Sequence, residues 1–133
     1  MSRIERFEDL NCWKSAKELC ILIYQFTNKL KFSKDFTLVN QIRDSSGSGM
    51  DNIAEGFERG GNKEFIQFLS ISRGSLAEVK SQLYRALGQN YIDENEFQQA
   101  SDLATKTGKE ITNFIIYLKN SDMKGFKFYK DSL

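Results

Sequence analysis

Four segments of this 133-residue chain carry apolar side chains at alternating steps of three and four residues. That spacing places the apolar side chains on one face of an α-helix. The chain contains no proline, so no residue removes a backbone donor from the interior of a long helix. The connections between the segments are short, which forces neighbouring helices to run antiparallel. We therefore expect an all-α fold, an antiparallel up-and-down four-helix bundle.

The chain is predicted to form a single domain over residues 1–133, because its length is close to the usual size of one domain. The periodic segments give the expected elements, which are helices over about 9–31, 34–60, 62–88 and 93–120 and a C-terminal tail over 121–133.

Residues suited to helix ends mark the joints between these helices. Ser33 and Asn62 are candidate N-caps of the second and third helices, because their side-chain oxygens can accept a backbone N–H. Gly60 can end the second helix in the left-handed conformation. Asp93 with Glu96 has the spacing of a capping box at the start of the fourth helix.

The second helix contains a run of small residues, Ser45-Ser46-Gly47-Ser48-Gly49, and each glycine costs a helix about 1 kcal/mol. The apolar positions on both sides of this run nevertheless stay in phase; they are Val39, Ile42, Ile53 and Phe57. We expect a continuous helix whose small residues admit a bulky neighbour, against the alternative of a loop that breaks it. The expected neighbours are aromatic side chains of the first and third helices, namely Trp13, Phe65 and Phe68.

The third and fourth helices carry more apolar side chains than one core needs, in residues 65–71 and 114–118. Five consecutive apolar residues cover more than a full turn, so they cannot all face one seam. A large exposed apolar patch marks an interaction site. The pattern favours self-association into a homo-oligomer, with scattered surface hydrophobic residues as the alternative.

The residue types that most catalytic sites need are missing from the chain. It has no histidine, which removes the usual general base and the commonest metal ligand. Cys12 and Cys20 lie eight residues apart on one helix, too far to form a disulfide, and fit two small buried side chains. We expect no enzyme activity, no cofactor and no metal.

The composition also limits where the protein acts. No segment approaches the length of apolar sequence that spans a membrane, and the first ten residues, MSRIERFEDL, do not resemble a signal peptide. We therefore expect a cytoplasmic protein without membrane contact. The net charge of +1 excludes strong non-specific nucleic-acid binding by the whole surface, so any RNA contact requires a local basic patch.

Two sets of basic residues are candidate nucleic-acid contacts. The first set belongs to the second and third helices and comprises Arg43, Arg59, Lys63, Arg73, Lys80 and Arg85. The alternative for this set is ordinary surface ion pairing with Glu55, Glu64 and Glu78. The second set comprises Lys124, Lys127 and Lys130, which alternate with aromatic residues in the tail. For these, the alternative is that the tail aromatics dock on the protein's own apolar surface.

Several short segments together resemble a known family, the four-helix bundle proteins named after the 23S rRNA intervening-sequence protein, formerly S23 ribosomal proteins. The resemblance runs from about Ile4 to Leu118. The matching segments are Arg6-Phe7-Glu8-Asp9-Leu10, Trp13-Lys14, Ala16, Gln41-Ile42-Arg43, Asp51-Asn52-Ile53-Ala54-Glu55-Gly56-Phe57, Glu64-Phe65, Phe68-Leu69, Arg73-Gly74-Ser75 and Glu78.

This resemblance implies an antiparallel bundle that assembles into a ring-like homopentamer, and it implies no catalytic residue. A similar protein, the accessory variability protein of diversity-generating retroelements, forms a basic pentameric barrel that binds a reverse transcriptase and nucleic acid. An RNA or protein partner is therefore the family-based expectation here. The positions that match the family motif are expected to be structural or interfacial; they include Asn52, Glu55, Gly56, Phe65, Gly74 and Glu78.

Overall fold

The computed structural model describes residues 3–121 and 128–129, with residues 3, 128 and 129 described by their backbone alone. The described elements are β1 (Arg3–Ile4), a 3-10 helix (Phe7–Asp9), α1 (Asn11–Thr27), α2 (Leu30–Ser33), α3 (Phe36–Glu58), α4 (Asn62–Gly88), α5 (Glu94–Lys119) and β2 (Phe128–Tyr129).

The four long helices form one bundle in the order α1, α3, α4, α5, and α1 closes it by packing against α5. The contacts between α1 and α3 show that these two helices run in opposite directions. Cys20 of α1 meets Ser46 of α3, whereas Thr27, later in α1, meets Arg43, earlier in α3. The predicted all-α antiparallel bundle is therefore confirmed, and α1 and α4 lie diagonally opposite each other in it.

The first helix is shorter than the predicted range 9–31. The backbone is extended at Leu10 and again at Lys29, so α1 ends at Thr27 and α2 follows as a separate turn. This break lets the Phe32 ring enter the core, where it is fully buried and stacks on Tyr91 at a centroid distance of 5.0 Å. A long-range contact thus overrides the local tendency to continue the helix.

The helix caps agree with the prediction at one joint and differ at two. The capping box of Asp93 and Glu96 is confirmed, since each side chain accepts the other's backbone N–H. At α3 the cap is Asp35, which accepts the Leu38 N–H, and not Ser33, whose hydroxyl is used within α2. Ser33 cannot be the N-cap of α3 because it is the last residue of α2, and α3 begins only at Phe36.

At the joint between α3 and α4, Gly60 adopts the predicted left-handed conformation, with φ of 91°. The N-cap of α4 is Gly61, not Asn62. Asn62 is instead the first residue of the helix, and its Nδ2 donates to the Leu118 carbonyl oxygen of α5 at 3.3 Å.

The run of small residues in α3 forms a continuous helix, as predicted, but its neighbour is not aromatic. An added Cβ at Gly49 would lie 3.1 Å from Leu76 Cδ2. The aromatic side chains of α4 approach about two turns later, at Gly56, where a Cβ would meet Phe68 Cβ at 2.7 Å and Phe65 Cδ1 at 2.8 Å. Trp13, the third expected neighbour, packs edge-on against Phe7.

The apolar surplus of the third and fourth predicted helices is mostly buried. In α4, Phe65 and Leu69 lie in the core, and Ile66 and Phe68 are half-buried. In segment 114–118 of α5, Phe114, Ile115 and Leu118 lie in the core, and Tyr117 is half-buried. One side chain of each run remains exposed, Ile71 in α4 and Ile116 in α5.

The predicted tail contributes one pairing to the fold. The backbone of β2 pairs antiparallel with β1, with Ile4 opposite Phe128. Lys124, Lys127 and Lys130 lie outside the described residues. None of the helices in the described ranges is long and apolar enough to cross a membrane.

We predict that Gly56→Ala lowers the free energy of unfolding by about 1–3 kcal/mol, because the new methyl group overlaps two phenylalanine side chains. The matched control is Gly47→Ala, in the same helix, where no atom lies within 4 Å of the added Cβ. In that control the free energy of unfolding should rise by about 0.5–1 kcal/mol, because alanine has a higher helix propensity than glycine. Urea denaturation of both variants measures the difference, and equal stability of the two would contradict this packing.

Candidate functional site

A shallow groove with a volume of about 390 Å³ runs between α4 and α5, and we call it the α4–α5 groove. Its lining residues are Arg73, Leu76, Ala77, Lys80, Ala104, Thr105, Gly108, Lys109, Thr112 and Asn113. Small side chains between the two helices leave this space open, because Ala77, Ala104 and Gly108 fill little of it.

Cationic side chains of both helices meet in this groove. Arg73 and Lys80 come from α4 and Lys109 from α5, and no carboxylate is among the lining residues. Arg73 Nη1 donates to Thr112 Oγ1 at 3.2 Å, which leaves its charge without a carboxylate partner in the described ranges. An anion entering the groove would therefore meet three positive charges, two threonine hydroxyls and an amide, the donor set that suits a phosphate group.

The groove unites only part of the basic set identified in the sequence. Arg73 and Lys80 belong to it, whereas Lys109 comes from the fourth predicted helix and was not among the predicted contacts. The sequence signal for Lys109 is the segment Lys106-Thr107-Gly108-Lys109 of the fourth predicted helix, which contains two cations and a glycine.

Arg43 lies on another face, where it joins α3 to α1. Its Nε donates to Thr27 Oγ1 at 2.9 Å and its Nη2 to Asn28 Oδ1 at 3.0 Å. The guanidinium carbon also lies 4.3 Å from the centre of the Tyr24 ring. These contacts tie Arg43 to the interior side of the helix pair, and they give it a structural role.

The remaining basic candidates of these helices are also dispersed. Arg59 forms the expected surface ion pair with Glu55, at 2.8 Å, and its guanidinium lies over the Phe68 ring. Lys63 is exposed at the start of α4. Arg85 donates to Gln41 Oε1 at 2.9 Å and not to a carboxylate.

Arg85 lines a second groove, between α3 and α4, with a volume of about 430 Å³. Asp44 and Glu78 share that lining, so negative charge outweighs positive charge there. This groove therefore does not extend the basic surface, and the α4–α5 groove stands as a separate feature.

The residues that match the family motif differ in their surroundings: Gly56 and Phe65 lie between helices, Asn52 and Glu55 bond within α3, and Glu78 is exposed. Asn52 Nδ2 donates to the Ser48 carbonyl and hydroxyl oxygens, both at 2.9 Å. Gly56 admits the α4 side chains, and the buried Phe65 ring meets Phe114 at 5.0 Å. Gly74 is exposed, with no atom within 4 Å of an added Cβ.

The two cysteines have protonated thiols at neutral pH. Burial, with a smaller contribution from Glu110, raises the pKa of Cys12 to about 12. Burial also raises the pKa of Cys20, whose Sγ donates to the Ser46 carbonyl oxygen at 3.0 Å. The thiolate is the nucleophilic form, so neither side chain has the chemistry of a reactive cysteine. In the part of the chain that the structure describes, no cluster of three Cys, Asp or Glu side chains is arranged to hold a metal ion.

Large apolar side chains are exposed on the two diagonally opposite helices. On α1 these are Ile21, which is 50% exposed, and Tyr24; they are three residues apart and share one face. On α4 they are Ile71, which is 52% exposed, and Tyr84. These two residues are 13 positions apart and therefore point to different sides of α4, and the Tyr84 ring packs against Phe97. We call Ile21 with Tyr24 the α1 face and Ile71 the α4 face.

Comparison with known proteins connects this fold to one family. The family model of the 23S rRNA-intervening sequence protein matches residues 8–113. The chain is also similar to a solved protein of unknown function from the S23 ribosomal protein family of Bacteroides thetaiotaomicron, with a TM-score of 0.71 and 22% sequence identity. That similarity covers 78% of this chain and 97% of the other and shows a shared fold. No curated protein matches the chain.

We predict that Arg43→Met lowers the free energy of unfolding by about 1–2 kcal/mol, because it removes two hydrogen bonds from a charged donor and the contact with Tyr24. The same substitution at Arg73 loses a single exposed hydrogen bond and should stay within about 0.5 kcal/mol of the wild type. Thermal and urea unfolding compare the two variants. Equal losses at both positions would contradict the structural role of Arg43.

Proposed function

Because the chain belongs to the 23S rRNA-intervening sequence protein family, we propose that it is a non-catalytic cytoplasmic scaffold that assembles into a homopentameric ring. The observation that carries the proposal is the pair of apolar faces on opposite sides of the bundle. The α1 face contains Ile21 and Tyr24, and the α4 face is Ile71.

Two different faces on opposite sides of a subunit support a head-to-tail contact. In such a contact the α1 face of one copy packs against the α4 face of the next, and repetition closes a ring when the rotation between copies allows it. A two-fold dimer would need only one self-complementary face. The arrangement of exposed apolar side chains therefore favours a ring over a simple dimer, and the family resemblance supports a ring of five.

We predict that light scattering after size exclusion, at micromolar concentration, gives five times the 15.4 kDa chain mass. Ile21→Asp blocks the α1 face and Ile71→Asp blocks the α4 face, so each variant alone should be a single chain. An equal mixture of the two variants should form a two-chain particle, because one good face remains on each. Ile116→Asp, an exposed isoleucine on α5, is the matched control and should keep the wild-type mass. A wild-type mass of one chain would end the proposal.

RNA binding is a second candidate function, and the α4–α5 groove is the observation that favours it. The groove presents Arg73, Lys80 and Lys109 without a carboxylate in its lining. A ring would repeat the groove in every subunit, which multiplies the contacts available to one RNA molecule.

We predict that the affinity for a structured RNA, measured by filter binding, falls as salt rises. The Lys80→Gln/Lys109→Gln variant should reduce the slope of log K against log salt by about 1.5 for each groove that contacts the RNA, because each phosphate contact contributes about 0.7–0.9. Lys14→Gln/Lys119→Gln removes the same charge outside the groove and should keep most of the slope. Binding that is absent at low salt, or equally affected by both variants, would exclude the groove as the RNA contact.

A further inference from the structure

Leu30 and Phe36, with 78% and 74% of their surfaces exposed, have the highest exposure of the large apolar side chains in the described ranges. They flank Phe32 and belong to one end of the bundle, where α1 ends and α3 begins. We call this the α2 end. Neither side chain belongs to the α1 face or the α4 face, so the proposed ring contact does not explain their exposure.

The backbone that carries these two side chains is held firmly. Phe32 is fully buried and stacks on Tyr91, and the Tyr91 hydroxyl donates to Asp35 Oδ2 at 2.9 Å. Asp35 also caps α3 through its other oxygen. Leu30 and Phe36 therefore point outward from an anchored turn, which presents them in a fixed arrangement.

Charges of both signs surround this apolar pair, on different sides. The α1–α2–α3 side contributes cations and the α4–α5 side contributes carboxylates. The cations are Lys29, Lys31 and Lys34, and the carboxylates are Asp93, Glu94 and Glu96. The 2.7 Å ion pair between Lys29 and Glu96 shows that the two sides adjoin each other.

Part of this charge is left for an outside partner. Lys31, Lys34 and Glu94 are exposed and form no ion pair within the described ranges. A two-fold axis through the α2 end would bring the basic side of one copy against the acidic side of another. The same rotation would place the two apolar pairs together at the centre.

We infer that the α2 end is a self-complementary contact that joins two copies of this chain through a two-fold axis. Leu30 and Phe36 of each copy pack at the centre, and Lys31 and Lys34 pair with Glu94 of the opposing copy. An isologous contact of this kind requires that one patch be complementary to itself, as the charges here are. An anionic lipid surface suits this end less well, because its three carboxylates would be repelled.

The contact is small, and its strength rests on the proposed ring. Two side chains bury far less than the roughly 800 Å² per partner of a stable interface, so one pair of copies holds weakly. Five contacts made together gain through their high effective concentration. We therefore expect two rings to stack through their α2 ends and form a ten-chain particle.

Mass determination at about 100 µM compares the wild type with three variants. This concentration lies well above the micromolar range in which single five-chain rings are expected, because one pair of copies holds weakly. Leu30→Ser/Phe36→Ser should convert the ten-chain particle into a five-chain particle with unchanged urea stability, because both side chains are exposed. Ile116→Ser removes an exposed apolar side chain elsewhere and should leave ten chains. Lys31→Glu/Lys34→Glu should also give five chains, because like charges then face each other.

A charge exchange makes the test more specific. Glu94→Lys on its own should weaken stacking, whereas mixing it with Lys31→Glu/Lys34→Glu should restore ten chains, since opposite charges then meet on both sides of the axis. Failure of the mixture to recover would overturn the charge pairing.

The wild-type mass separates this inference from the proposed ring. Five chains at every concentration up to about 100 µM would overturn the inference and keep the ring. Two chains would support the inference and overturn the ring, and one chain would overturn both. Vesicle binding by the α2 end, lost in Leu30→Ser/Phe36→Ser while the mass stays at five chains, would also overturn it.

Discussion

The close approach of α3 and α4 is the constraint on which the rest of the bundle depends. Gly56 allows Phe65 and Phe68 to lie against the α3 backbone, and Gly49 does the same for Leu76. Hydroxyl groups fix the register of the two helices at the same level, because Ser48 and Ser75 are hydrogen-bonded at 2.8 Å and Ser72 donates to the Gly49 carbonyl oxygen. Larger side chains on α3 would separate the helices and open the core.

This close approach decides which apolar side chains remain outside. It draws Phe65 and Leu69 into the core, and α5 is joined to them through the contact of Phe65 with Phe114. The large apolar side chains that stay exposed in the described ranges lie on α1, on α4, on α5 and at the α2 end. The described surface thus offers exposed apolar side chains and, in the α4–α5 groove, positive charge, which is why we propose association with other macromolecules.

Local signals in the sequence predicted local structure well. Asp93 and Glu96 are three residues apart, so their capping box is readable without any tertiary information. The separate α2 was not predictable in that way, because it exists through the packing of Phe32 on Tyr91, 59 positions away in the sequence. Leu76, and not an aromatic residue, meets Gly49 because the register of α4 on α3 is set by the whole interface. For the same reason the basic residues predicted on the second and third helices separate, and Lys109 of α5 joins Arg73 and Lys80 in the groove.

Hydroxyl-radical footprinting tests most directly whether the exposed apolar faces are contact surfaces in solution. Ile21, Ile71 and Ile116 are the same residue type with almost the same exposure in the single chain, so their intrinsic reactivity is matched. We predict slow oxidation of Ile21 and Ile71, which lie in the proposed ring contact, and fast oxidation of Ile116, which lies outside it, at micromolar concentration. Equal oxidation rates at all three positions would contradict it.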